Sequence, residues 1–209
     1  MSFKSGLIEQ RVYLASRSPR RRALLEQMGV PFQLLPFRDV SRDALAPDEL
    51  PQPGELPQDY VLRVSCAKAA HAQRAIAWRK LPSLPVLTAD TTLDLDGEII
   101  GKPRDEADAK AILRRLSGRQ HRVLTALTLD FKGQLETALS VNELRFAEWT
   151  EAAIERYVAS GEPMDKAGAY AIQGRAGMLI EHLSGSYTGV MGLPFFETAQ
   201  LLTRIGFVL

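Results

Sequence analysis

The 209-residue chain has a single cysteine, Cys66, so no internal disulfide can form. That fits a reducing compartment. Cys66 falls in a helical pattern among apolar residues, where the choice is between a small buried hydrophobe and a nucleophile; the first is expected. Histidine is nearly as scarce. His71, His121 and His182 are scattered without ligand spacing, which argues against a zinc site. No apolar run has the length to span a bilayer. The N-terminus, with one lysine and no long apolar stretch, is not expected to act as a signal peptide. An excess of one charge is missing too: 26 Lys and Arg face 25 Asp and Glu, for a net charge of +1. Broad binding to nucleic acid or to a membrane surface is therefore not expected, and any anion site must be local. Neither the Gly-x-x-x-x-Gly-Lys-Ser/Thr phosphate loop nor a Gly-x-Gly-x-x-Gly fingerprint after a strand occurs. No Ser/His/Asp order suggests a hydrolytic triad. A soluble, cytoplasmic protein is the expectation.

What is present suffices for a core, with 45% hydrophobic and 24% charged residues. One domain over residues 1–209 is expected, with polar residues 1–10 a loose extension. Val12 to Leu14 reads as a strand and Phe32 to Leu35 as a second. Residues 36–57, with five prolines and few large apolar side chains, form a long surface loop. Pro57 opens a helix to about Trp78. Pro85 to Asp90 reads as an apolar strand ending in a carboxylate. Asp96-Gly97 is a hairpin signal, with Glu98 to Ile100 returning. A helix follows near Asp105, ending at Ser117-Gly118. Val123 to Phe131 and Leu135 to Phe146 form a long antiparallel hairpin. Thr150 caps another helix, Met178 to Leu183 is a strand, and a final amphipathic helix starts near Gly192-Leu193-Pro194. βα units mixed with an antiparallel hairpin predict an α/β fold with a mixed sheet.

The stretch from Leu14 to Arg22 is electrostatically odd. Ser18 suits a helix N-cap and Pro19 the first helical position. Arg20, Arg21 and Arg22 then crowd the positive end of the helix dipole, at a cost of up to ~1 kcal/mol each. Either they are solvated or they help seat a phosphate together with the backbone N–H groups. Lys68 lies on an apolar stripe with Val61 and Val64, so its ammonium either snorkels outward or points into a cleft. Asp90 is either a turn former or a group that binds a hard cation or takes a proton from water. Lys102 and Lys166 follow or sit among glycines, as solvated loop lysines or as ligand contacts. Gln173 is a turn amide or a reader of a base edge, since an amide both donates and accepts.

Taken together, these stretches resemble the Maf family of nucleoside triphosphate pyrophosphatases. The resemblance rests on Leu14-Ala15-Ser16-Arg17-Ser18-Pro19-Arg20-Arg21, Ala67-Lys68-Ala69, Ala89-Asp90-Thr91, Gly101-Lys102-Pro103 and Leu116-Ser117-Gly118. It continues through Lys166 to Gly174, Gly185-Ser186-Tyr187 and Val190 to Pro194, in family order over nearly the whole chain. It implies a mixed twisted sheet with flanking helices and two lobes around a central cleft, as in inosine triphosphate pyrophosphatases. It implies hydrolysis of a nucleoside triphosphate to the monophosphate and pyrophosphate, assisted by Mg²⁺ or Mn²⁺. Asp90 matches the family's catalytic acid and is the expected metal ligand. Ser16, Ser18, Arg20, Arg21, Lys68, Lys102 and Lys166 would hold the phosphates. Arg20, Thr91 and Gln173 match positions tied to base preference, in the combination of the dTTP and UTP subgroup. The alternatives are a purine-selective or 7-methyl-GTP housecleaning enzyme, and a nucleotide-binding regulator of septum formation. A homodimer is a further expectation. The family's Glu after the second strand finds no counterpart in residues 36–43, leaving Asp39 or Asp43 as stand-ins.

Overall fold

The computed structural model describes residues 10–35 and 49–208. The expected loose extension thus lies outside the described residues except for Gln10, as do Asp39 and Asp43.

Strand β1 (Val12–Leu14) leads into helix α1 (Pro19–Gln27), and strand β2 (Phe32–Leu34) follows. The Ser18 Oγ accepts the Arg21 N–H at 3.4 Å, so the expected cap forms. Helix α2 (Pro57–Arg79) precedes β3 (Val86–Leu95), β4 (Glu98–Ile100) and α3 (Glu106–Leu116). Then come β5 (Gln120–Phe131), β6 (Gln134–Phe146), α4 (Glu151–Val158), β7 (Ile180–Ser184), α5 (Tyr187–Met191) and α6 (Phe195–Arg204). Three 3-10 turns, at Glu162–Asp165, Ala167–Ala169 and Arg175–Leu179, occupy the glycine-rich segment.

The strands form one mixed seven-stranded sheet in the order β2-β1-β3-β5-β6-β7, with β4 paired to β3. β1 runs parallel to β2 and β3, and the remaining pairings are antiparallel. The expected mixed α/β fold is therefore observed. β3 runs past Asp90, where the sequence suggested an end. Thr91 and Thr92 are β-branched and suit a strand, and β5 supplies partners as far as Asp94. β7 starts at Ile180 because Met178 and Leu179 belong to a 3-10 turn. Helix α5, unforeseen, is capped by Ser186, whose Oγ accepts the Gly189 N–H at 3.0 Å.

Side-chain alternation along β3 sorts the layers. Val86, Thr88 and Asp90 face α2: Thr88 donates to the Ser65 carbonyl at 2.9 Å, and Val86 packs with Ala72 and Ile76. Leu87 and Ala89 point the other way and pack with Leu24, Leu25, Leu201 and Leu202 of α1 and α6. Further along that face, Leu93 and Leu95 pack with Leu113 of α3 and Ile154 of α4. Asp90 and Thr91 thus sit where two groups of helices meet on one strand. The second group is closed by Gly168, whose φ is +72° and whose absent Cβ would lie 2.1 Å from Leu93 Cδ2. Only glycine fits that position.

His121 is buried in the second group, with Nε2 2.8 Å from the Tyr170 hydroxyl and its ring edge-on to Phe146. Burial depresses its pKa to about 4. The unfolded chain, titrating near ~6.5, therefore binds more protons between those two values. Stability is at full strength above pH ~6.5 and falls by about 3 kcal/mol as pH drops towards 4. Urea unfolding at pH 7 and 4.5 should show this loss, and His121→Phe should flatten it. An equal slope in the variant would assign the acid sensitivity elsewhere.

Among the described residues, no helix is long and apolar enough to cross a membrane.

Candidate active site

The α2 stripe aims Lys68 at Asp90. Val61 and Val64 are fully buried, and Lys68, one turn on, extends its Nζ to 2.7 Å from Asp90 Oδ1. The same ammonium stands 3.1 Å from Glu49 Oε1. Both Lys68 and Asp90 side chains are largely buried, at 13% and 12% exposed, so solvent screens their pairing only weakly. Glu49 is itself positioned by α2. The Tyr60 hydroxyl donates to the Glu49 carbonyl at 2.8 Å, and Arg63 donates to the Leu50 carbonyl at 2.9 Å. A glutamate from outside residues 36–43 therefore stands beside Lys68, while Asp39 and Asp43, the expected stand-ins, lie outside the described residues. It escaped notice because it lies beyond residues 36–43 in the sequence, and only the fold brings it to Lys68.

Arg21 differs from its expected part in a phosphate clamp. Its Nε donates to the Gly192 carbonyl at 2.8 Å, Nη1 to the Ala89 carbonyl at 2.8 Å and Nη2 to Thr91 Oγ1 at 3.0 Å. The guanidinium thus grips β3 on both sides of Asp90. Burial lowers its pKa, while the charges of Asp90 and Glu49 oppose that shift and Arg20 adds to it. These groups are close enough to feel one another. Thr91 is likewise engaged, with Oγ1 also 2.9 Å from the Thr125 hydroxyl, which lies 2.8 Å from the Gly189 carbonyl. Its hydroxyl belongs to the brace around Asp90. Gly192 keeps the brace open, since a Cβ there would sit 3.3 Å from both Arg21 Nε and Thr91 Oγ1.

Arg20 and Lys166 meet through a residue the sequence did not single out. Asp165 Oδ2 is 3.6 Å from Arg20 Nη1, and its Oδ1 pairs with Lys166. Burial acts to raise the Asp165 pKa, but Lys166 and Arg20 outweigh it and hold the group below the usual carboxylate range. In the chain alone, Asp165 is the anion between two cations expected to take phosphate. Ser16 Oγ accepts the Ser18 N–H at 3.1 Å, so both serines order the turn into α1. Each hydroxyl keeps its own proton to donate. Lys102 is exposed, on a loop held by the Gly168 N–H bond to the Gly101 carbonyl at 2.9 Å. Gln173 is also exposed, in the turn that follows Tyr170.

Asp90 and Glu49, two carboxylates gathered by one ammonium, are the residues of this site whose chemistry could hold a hard divalent cation. Among the described residues, no cluster of three or more potential protein ligands forms.

The chain is 59% identical over 197 residues to a dTTP/UTP pyrophosphatase of Dechloromonas aromatica, covering 94% of this chain and 98% of that one. It is 56% identical over 203 residues to the protein of that name from Aromatoleum aromaticum, covering 97% and 98%. A third, from Ralstonia nicotianae, is 55% identical over 199 residues, covering 95% of each chain. Among solved structures, the Ham1 protein of Staphylococcus aureus aligns over 93% of this chain and 97% of its own, at 12% identity and a TM-score of 0.48, too loose a likeness to bear on function. The Maf-like protein family model matches residues 11–205, and the chain belongs to that family.

Proposed function

We propose that this chain is a nucleoside triphosphate pyrophosphatase that hydrolyses dTTP and UTP to the monophosphate and pyrophosphate. The observation that carries the chemistry is the meeting of Lys68, Glu49 and Asp90 beside the Arg21 brace. The choice of nucleotide rests on the relatives, whose names specify dTTP and UTP.

Asp90 orients a water molecule and takes its proton as the oxygen attacks the α-phosphorus. The new P–O bond forms as the bond from that phosphorus to the α–β bridging oxygen breaks. Pyrophosphate leaves with the electron pair. Lys68 fixes the Asp90 carboxylate, and Arg21 fixes the strand that carries it. Arg20, Lys102 and Lys166 neutralise the phosphate chain, with Asp165 giving way to substrate oxygens. Such preorganised charge acts at the point where negative charge builds up. Asp90 and Glu49 would hold Mg²⁺ or Mn²⁺, which supplies charge neutralisation at the phosphates when bound. The Gln173 amide reads the base edge. A cytoplasmic location, with access to nucleotide pools, belongs to the same proposal.

Steady-state kinetics over UTP, dTTP, inosine triphosphate and 7-methyl-GTP test the reading. UTP and dTTP should show the highest kcat/KM. A preference for either purine nucleotide, or tight binding without turnover in the presence of metal, would overturn it. No observation here favours the purine or regulatory alternatives.

A further inference from the structure

The turn that carries Gln173 is gripped from outside by Tyr157 of α4 and by Glu162. Ala171 and Gly174 close it, the Gly174 N–H donating to the Ala171 carbonyl at 3.0 Å. At one end, the Tyr157 hydroxyl of α4 accepts the Ala171 N–H at 3.1 Å and donates to Glu162 Oε1 at 2.8 Å. At the other end, Glu162 Oε2 accepts the Arg175 N–H at 3.4 Å. The Glu162 carboxylate occupies the space a side chain at Gly174 would need, since a Cβ there would lie 2.1 Å from Oε1. Tyr157 is 5% exposed and packs its ring against Trp149 at 5.4 Å. Burial foremost, with Glu162 adding, raises the phenol pKa, so the hydroxyl keeps the proton it donates.

We infer that Tyr157 and Glu162 are positioning residues that set base preference by fixing the Gln173 turn through its two flanking backbone N–H groups. The inference rests on the reading of Gln173 as the base-contacting amide. An amide discriminates a base edge only if its two polar atoms are held in register, and a turn freed at both ends loses that register. The pairing is local to the turn and touches neither Asp90 nor Lys68, so the chemistry should survive its loss.

The test is a double-mutant cycle on the ratio of kcat/KM for UTP to that for inosine triphosphate. Tyr157→Phe keeps the ring but removes both hydroxyl bonds, and should reduce the ratio roughly tenfold, mainly through a higher KM for UTP. In a Gln173→Ala background the same change should move the ratio less than about twofold. Glu162→Gln retains an acceptor for Tyr157 and should give a smaller shift, which also covers the case in which Tyr157→Phe folds poorly. An unchanged ratio in Gln173→Ala would overturn the reading of Gln173 and this inference with it. A changed ratio there, with Tyr157→Phe and Glu162→Gln slowing both nucleotides equally, would overturn the inference alone.

Discussion

Asp90→Asn should lower kcat with UTP by about a thousandfold while leaving the fold intact, within the range for loss of a positioned general base. The substitution preserves shape but removes the proton acceptor and the negative charge held by Lys68. Lys68 keeps Glu49 at 3.1 Å, so no isolated buried cation remains, and the unfolding midpoint should move little. Near-ultraviolet circular dichroism and a urea melt check the fold, and pyrophosphate release checks the rate. Wild-type turnover in the variant would remove Asp90 from the chemistry.

Replacing Arg21 should damage both stability and rate, because its guanidinium joins three parts of the chain. Arg21→Met leaves the Ala89 and Gly192 carbonyls and the Thr91 hydroxyl without the donor they share. Deserted buried acceptors cost ~1–3 kcal/mol each before relaxation, so a net loss on the order of 3 kcal/mol is expected. For a chain of this size the melting temperature should fall by about 6–12 °C. Arg21→Lys retains the charge without the planar fork and cannot hold all three acceptors. It should lower kcat by at least about tenfold with KM for UTP nearly unchanged, since near-attack geometry at Asp90 is what the brace maintains. A large rise in KM at unchanged kcat would return Arg21 to direct contact with phosphate.

Much of the fold was legible because its signals are local. Ser18-Pro19 marks the start of α1, and Asp96-Gly97 adopts the positive φ values, 55° and 87°, that its hairpin requires. The apolar stripe of α2 also singled out Lys68, a cation at a position otherwise given to packing. What the sequence left open shares a different cause. Asp90 suggested a strand end because aspartate disfavours strand interiors, yet Lys68 from a distant helix makes the position tolerable. Glu49 escaped notice because it lies beyond residues 36–43, and spacing along the sequence does not show that it meets Lys68. Arg21 looked like a phosphate contact because spacing reveals charge at a helix start without revealing which carbonyls lie opposite. Nothing in the sequence marked Tyr157 or Glu162 for the Gln173 turn, since their partners depend on how a glycine-rich turn folds back.

Hydrolysis of UTP in ¹⁸O-labelled water tests the central claim most directly. With metal present, the account predicts a single label in the uridine monophosphate and unlabelled pyrophosphate as the other product. Label in the pyrophosphate, or release of orthophosphate alone, would contradict attack at the α-phosphorus.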